Sequence, residues 1–366
     1  MAAGRIEFLD VAKGLGIISI VAYHGGLGLA IGNYFQLYDY YLLCLSMFFF
    51  ISGFLFHEQQ TIRQWLQRRG RELYLPFVGF GLLFLLLHNV FYTFHLVDDW
   101  YTPGQFLFAG ARMLAFDLTE VFLAAFWFLS ALFFIECFFL LVFKSLQHVG
   151  LEHGTGWYIV VCILCYALSQ MLAARGIKPM YSNCALPDVV LANMMFFTAG
   201  WGLRRLFYRY GNAWGERLFR RNWLMLLCLG VLVFMQNKLH FVFDPRVCLY
   251  THPVWFPLFA FMGLYVILYL AELIHCHFPV LKKGLAYSGQ ATVFILALHF
   301  VSFKLIGLFQ VHVLGNDISR LPGWQNVNVT GHWPVLYFAT GLAVPLLVRF
   351  LYHRLQKTVW ENENEK

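Results

Sequence analysis

The 366-residue chain is 60% hydrophobic, 19% aromatic and only 12% charged. A soluble domain carries about 25% charged residues, so the charged shell of an ordinary soluble enzyme is missing and that class is excluded. The net charge of +7 does not point to nucleic acid, because the basic residues lie in short clusters between apolar runs, the pattern of a polytopic membrane protein.

Apolar runs recur from end to end. The N-terminal stretch superficially resembles a signal peptide, but Glu7 and Asp10 and its continuation through His24 mark it as a retained first span. Predicted crossings lie at 8–30, 38–57, 73–94, 123–143, 157–174, 188–206, 223–241, 254–274, 287–309 and 332–353. Each approaches the length a helix needs to cross about 30 Å of hydrocarbon. No alternation of apolar and polar residues supports a β-barrel. Residues 104–119 are apolar but short and interrupted, which predicts an interfacial or re-entrant helix. The expected fold is therefore an all-α helix bundle of about ten transmembrane helices. Residues 1–357 form one membrane domain, and 358–366 a short polar tail.

Nineteen of the 26 Lys and Arg residues fall on one side of this arrangement, so the positive-inside rule places both termini in the cytoplasm. Cys162 and Cys165 form a C-x-x-C inside an apolar run, which reads as buried helical cysteines rather than a metal or redox pair. Cys184 and Cys248 fall in predicted external loops, and spacing alone establishes no disulfide. His275-Cys276-His277 lacks a convincing third ligand nearby, so no metal site is expected.

The first span carries Asp10, Lys13 and His24. An ionisable group in a span costs at least about 2.5 kcal/mol on insertion scales, so three of them need a reason. At about 100° per residue, Lys13 and His24 return to within about 20° of each other, and Asp10 shares their face. They read either as an interfacial ion pair with a packed polar residue or as the lining of a cavity in which His24 accepts a proton. A histidine, with an ordinary pKa near 6.5, suits that task.

The opening R-x-x-x-L-D-x-x-K-G, Arg5 to Gly14, followed by His24, resembles membrane-bound acyltransferase family 3, the group that includes bacterial sugar and polysaccharide O-acetyltransferases. Lys13 stands where the family has an Arg separated from its His by ten intervening residues, keeping the charge but losing the planar fork. The resemblance continues through F-F-F-I-S-G-F-L at Phe48–Leu55 and R-x-x-R at Arg68 and Arg71. It extends to W-F-L at Trp127–Leu129, F-F-x-x-G ending at Gly200, and a late element at Gly289, Thr292 and His299. In that last element Thr292 replaces the usual Ser and Leu296 the usual Tyr.

The resemblance implies transfer of an acyl group, acetyl by expectation, from cytoplasmic acyl-CoA to a hydroxyl of a lipid-linked or surface glycan at a bacterial inner membrane. Acyl-CoA is then a donor substrate, with no permanently bound cofactor, and membrane lipids and the glycan are the remaining partners. His24 becomes the general base or a transient acyl carrier, with Lys13, deeper toward the cytoplasm, contacting the donor's phosphate or pantetheine region and Asp10 fixing its direction. Arg68, Arg69 and Arg71 form a patch suited to donor phosphates, or simply the orientation signal of an inner loop. The arginines from Arg204 to Arg221 read more readily as orientation signal and anionic lipid contact. His299, Trp127 and Thr292 are candidates for an acceptor or second catalytic site. His299 otherwise makes helix–helix hydrogen bonds, and Trp127 packs or stacks on a sugar ring. The rival classes are a transporter or exporter, which would show repeated broken helices, and a membrane protein that assists polymer assembly without catalysis.

The charge asymmetry predicts that a single Cys introduced by Asp99→Cys, in a background without accessible native cysteines, labels with an impermeant maleimide from outside intact cells. Labelling only after the cytoplasmic face is opened would reverse the topology.

Overall fold

The computed structural model describes residues 6–27, 37–176, 187–211, 219–239, 243–244, 249–250 and 252–364; Cys184 and Cys248 lie outside them. Among the described residues the protein is all-α apart from a two-residue antiparallel pair, β1 (Phe243–Asp244) and β2 (Leu249–Tyr250). Six helices are long and apolar enough to cross a membrane: Ile62–Thr93, Val121–His148, Thr155–Ala174, Phe256–His277, Thr292–His312 and Trp333–Thr358. The other four expected crossings coincide with helices α1 (Glu7–His24), α2 (Leu37–Phe54), α8 (Pro187–Tyr210) and α9 (Asn222–Leu239).

Helix α1 ends at His24, six residues short of the expected 8–30. Gly25 caps it, and Gly26 takes a left-handed φ of 76°, which turns the chain away at no side-chain cost. His24 therefore occupies the C-terminal end of its helix. The expected span 73–94 is the upper part of a longer rod. Helix α3 (Ile62–Arg69) starts on a capping box between Thr61 and Gln64 and passes through a π-helical turn, Gly70–Tyr74, into α4 (Leu75–Thr93). Helix α5 (Pro103–Leu114) falls where a short non-crossing helix was expected.

A 3₁₀ turn, Val121–Phe126, leads into α6 (Trp127–His148), followed by α7 (Thr155–Ala174). The expected span 287–309 divides at Ala291: α11 (Pro279–Gln290) follows α10 (Phe256–His277), and α12 (Thr292–His312) begins anew. His299 is thus two turns into α12, not deep in one long span. Helix α13 runs from Trp333 to Asn364 with Pro345 inside it, so residues 358–364 of the expected tail continue its helix.

Helix α1 is central, packing on α2, α10, α11, α12 and α13, most extensively on α11. Glycines permit the closest approaches. A Cβ at Gly14 would lie 2.1 Å from the Leu285 carbonyl oxygen, and one at Gly289 would lie 2.0 Å from that of Asp10. The α2–α8 crossing is built the same way: Cβ atoms at Gly53 and Gly200 would lie 1.9 Å from the carbonyls of Phe197 and Phe50. Small residues at such crossings let helices gain dispersion energy where lipid supplies no hydrophobic drive.

Because backbone rather than a flexible side chain blocks each site, Gly53→Ala and Gly289→Ala should each destabilise the detergent-solubilised protein by about 2 kcal/mol or more. A thermal-unfolding series checks this, with Gly79→Ala, which meets nothing within 4 Å, as the control.

Candidate active site

Two cavities are associated with α1, one at each end of the helix. The larger, about 840 Å³, lies at the N-terminal end and is lined by Asp10 and Lys13 of α1, Arg68 and Arg69 of α3, His57, and Arg204 and Arg220. Its volume falls in the range of small-molecule sites. Lys13 Nζ lies 3.5 Å from Asp10 Oδ1, one helical turn away, so the carboxylate steadies the ammonium at the cavity wall. Arg68 Nε and Nη2 are screened from solvent and have no hydrogen-bond partner, although Arg68 belongs to the cavity lining. A guanidinium with unused donors facing a cavity suits a bidentate anion.

Its neighbour Arg69 is differently placed. Arg69 Nε bonds Glu136 Oε2 of α6, Nη1 bonds Glu72, and Trp65 Nε1 donates to the same Glu136 oxygen at 3.2 Å. Glu136 is fully buried, so this pair ties α3 to α6. Arg71 is exposed and absent from the cavity lining. The π turn that begins at Gly70 rotates the chain less per residue than an α-helix does, so the three-residue spacing of Arg68 and Arg71 does not keep them on one face.

Arg204 and Arg220 were not expected at a site. Arg204 Nη1 donates to the Phe54 carbonyl at 3.0 Å, capping α2 while forming part of the cavity wall. Arg220 pairs with Glu272 at 2.9 Å. The sequence signal was the density of arginine, which a positive-inside loop also explains. His57 lies 3.4 Å from Arg204, and partial burial together with the charges of Arg68 and Arg204 holds its pKa below the usual histidine value. At neutral pH it offers the cavity a hydrogen-bonding ring rather than a further positive charge.

The smaller cavity, about 20 Å³, is lined by His24, Trp127, Thr292 and Leu296 together with Ile20, Leu45, Phe48, Ala125 and Phe128. It joins the end of α1 to α2, α6 and α12, and so brings together three residues singled out in the sequence: His24, Trp127 and Thr292. The Thr292 hydroxyl donates to the Gly289 carbonyl at 2.7 Å, linking the start of α12 to the last turn of α11. His299 is fully buried, and its Nε2 lies 3.0 Å from His24 Nδ1, with the two rings stacked at an interplanar angle of 10°. Asn326 Nδ2 donates to the His24 carbonyl at 2.8 Å, fixing the helix end that carries the ring.

Hydrogen-bond directions follow from the last partner. His299 Nδ1 lies 2.8 Å from the Ile295 carbonyl oxygen, which can only accept, so Nδ1 carries the proton. In the uncharged pair His299 Nε2 is then the acceptor, His24 Nδ1 the donor, and the lone pair of His24 resides on Nε2. A buried carbonyl thus sets, through His299, which nitrogen of His24 is basic. This is the logic by which a third group orients the base in hydrolase triads.

Other charges uninterpreted in the sequence find partners here. Lys304 Nζ donates to the Leu321 and Gln325 carbonyls at 2.9 and 2.7 Å, pinning the loop that bears Asn326.

A family profile described as an acyltransferase domain, that of acyltransferase family 3, matches residues 6–354, and the chain belongs to that family. No curated protein and no solved structure matches it. Membership supports acyl-group transfer chemistry with an acyl-CoA-type donor, and the apolar helices place the chain in a membrane in several passes.

The two adjacent arginines should separate in experiment. Arg69→Ala strands the buried Glu136 carboxylate and should cost about 3–5 kcal/mol of stability, read as a fall in Tm. Arg68→Ala should leave Tm nearly unchanged.

Proposed function

We propose that this protein transfers an acyl group, acetyl by expectation, from acyl-CoA to a hydroxyl of a lipid-linked or surface glycan. In this reading it crosses a bacterial inner membrane ten times with both termini in the cytoplasm. The observation that carries the reading is the placement of a cationic cavity and a hydrogen-bonded histidine pair at the two ends of one helix. Lys13 and His24 are eleven residues apart, about 16 Å along α1, a separation suited to a phosphopantetheine arm. The nucleotide phosphates lie among Arg68, Lys13, Arg204 and Arg220, where Arg68 Nε and Nη2 have donors to give. The thioester then lies beside His24.

His24 Nε2 accepts the proton of the glycan hydroxyl as its oxygen attacks the thioester carbonyl. The new C–O bond forms, the C–S bond breaks, and the proton passes from His24 to the departing thiolate. His299 is a positioning residue: its Nε2 receives the His24 Nδ1 proton throughout and stabilises the imidazolium that forms. Asp10 steadies Lys13. Trp127 and Thr292 shape the space around the reacting carbonyl.

The test uses membranes containing the protein and its own glycan, with radiolabelled acetyl-CoA. His24→Ala and His24→Gln should each lose about 10²–10⁴-fold in rate at unchanged protein level; a His24→Gln variant close to wild type would remove the catalytic reading. His299→Gln, whose amide oxygen can still accept from Nδ1, should keep about tenfold or more of the rate lost in His299→Leu, with donor KM equal in both. Arg68→Lys should raise donor KM while leaving kcat, because the charge remains and the fork is lost. Label retained on wild-type protein without acceptor, and absent from His24→Gln, would replace direct attack by a covalent acyl-histidine.

A further inference from the structure

The cavity beside His24 is small and almost entirely apolar, two properties that a glycan-binding site would not combine. At about 20 Å³ it exceeds the ~10–15 Å³ that one water-sized group occupies by little, so a sugar ring has no room in it. Apart from His24, the Thr292 hydroxyl and the Trp127 indole nitrogen, its lining is hydrocarbon. The group on the proposed reaction path that matches this space is the methyl carbon of a thioester whose carbonyl faces His24.

The walls are also held in place. Phe128 is gripped by three rings, with centroids 5.5 Å from Phe48, 4.9 Å from Phe49 and 6.3 Å from Trp127. Phe48 in turn rests on the bare backbone of α1, where a Cβ at Gly16 would come within 2.9 Å of its ring. Leu45 and Leu296 also line it, and both are buried. A close-packed wall of this kind cannot shift to admit another methylene without forcing off-rotamer side chains.

We propose that this cavity is an acyl-length gauge: it accepts the methyl of an acetyl group and rejects longer acyl chains, with Leu45, Phe48, Phe128 and Leu296 setting the limit. The inference rests on the acyl-transfer reading above and adds the donor class and the residues that choose it. It also gives Leu296 a task that needs no hydroxyl, since a branched aliphatic side chain fills the end of an apolar slot.

Membranes containing the wild-type protein and its native glycan would be supplied with radiolabelled acetyl-, propionyl- and butyryl-CoA, and label counted in the glycan fraction, with His24→Gln membranes as the blank. One methylene in an apolar site is worth about 10–200-fold, so butyryl transfer should run at least about 100-fold below acetyl transfer in kcat/KM. Leu45→Ala and Leu296→Ala should each raise the butyryl-to-acetyl ratio by about tenfold or more, because the space they open is where the longer chain must go. Wild-type butyryl transfer within about threefold of acetyl overturns the gauge, and leaves acyl transfer itself standing. An unchanged ratio in variants that elute as folded protein overturns it likewise. Label from none of the three donors overturns the gauge together with the reading beneath it. The wild-type donor series decides the matter even where a variant fails to fold.

Discussion

Two helix backbones in direct contact organise this molecule. Helix α1 lies against α11 without an intervening side chain, because Gly14 and Gly289 each face a carbonyl of the other helix at a distance no Cβ would tolerate. In lipid, where burying apolar side chains gains little, such contact is a main source of helix association. It also sets geometry. With α1 fixed against α11, the helix that follows Ala291 starts beside the end of α1, and His299 comes within hydrogen-bonding distance of His24. At its N-terminal end, α1 presents Asp10 and Lys13 to the large cavity.

The buried charges sort by whether the protein or the cavity satisfies them. Arg69 and Glu136 neutralise each other inside the bundle, and Lys304 is held by two carbonyls. Each arrangement offsets part of the desolvation cost that an isolated ion would carry. Arg68 lacks such closure for two of its guanidinium nitrogens. The adjacent arginines are thus used differently: Arg69 is paired inside the bundle, and Arg68 lines the large cavity. A cation that ties helices together and one that lines the cavity therefore lie side by side in sequence and diverge in space.

The histidine pair adds direction to location. A single histidine in an apolar setting could hold its proton on either nitrogen; the sequence of bonds from the Ile295 carbonyl through His299 to His24 selects one tautomer. The tautomer of His24 is thereby set from the first turns of α12. Gly289, at the end of α11, meets the α1 backbone at Asp10 and Gly14, and His299, two turns into α12, meets His24.

Much was written in the chain itself. Composition determined a membrane protein, because too few charges exist to cover a soluble surface. The motifs marked the family, and helical periodicity grouped Asp10, Lys13 and His24 along one polar stripe, since these signals depend only on residue types and short spacings. Helix ends were less legible: Gly25 and Gly26 stop α1 early, and the break at Ala291 serves a packing contact with α1 that no local pattern announces. The fate of individual cations was decided only in three dimensions. Arg69 and Arg68 are neighbours in sequence, but a carboxylate 67 residues away claims the first; Arg71 is carried aside by a π turn; and Arg204 and Arg220 arrive from a segment that read as orientation signal. His24 and His299 are 275 residues apart. Their contact is a consequence of helices brought together at glycine crossings, and the distance between two side chains on different helices is set by that packing rather than by either local sequence.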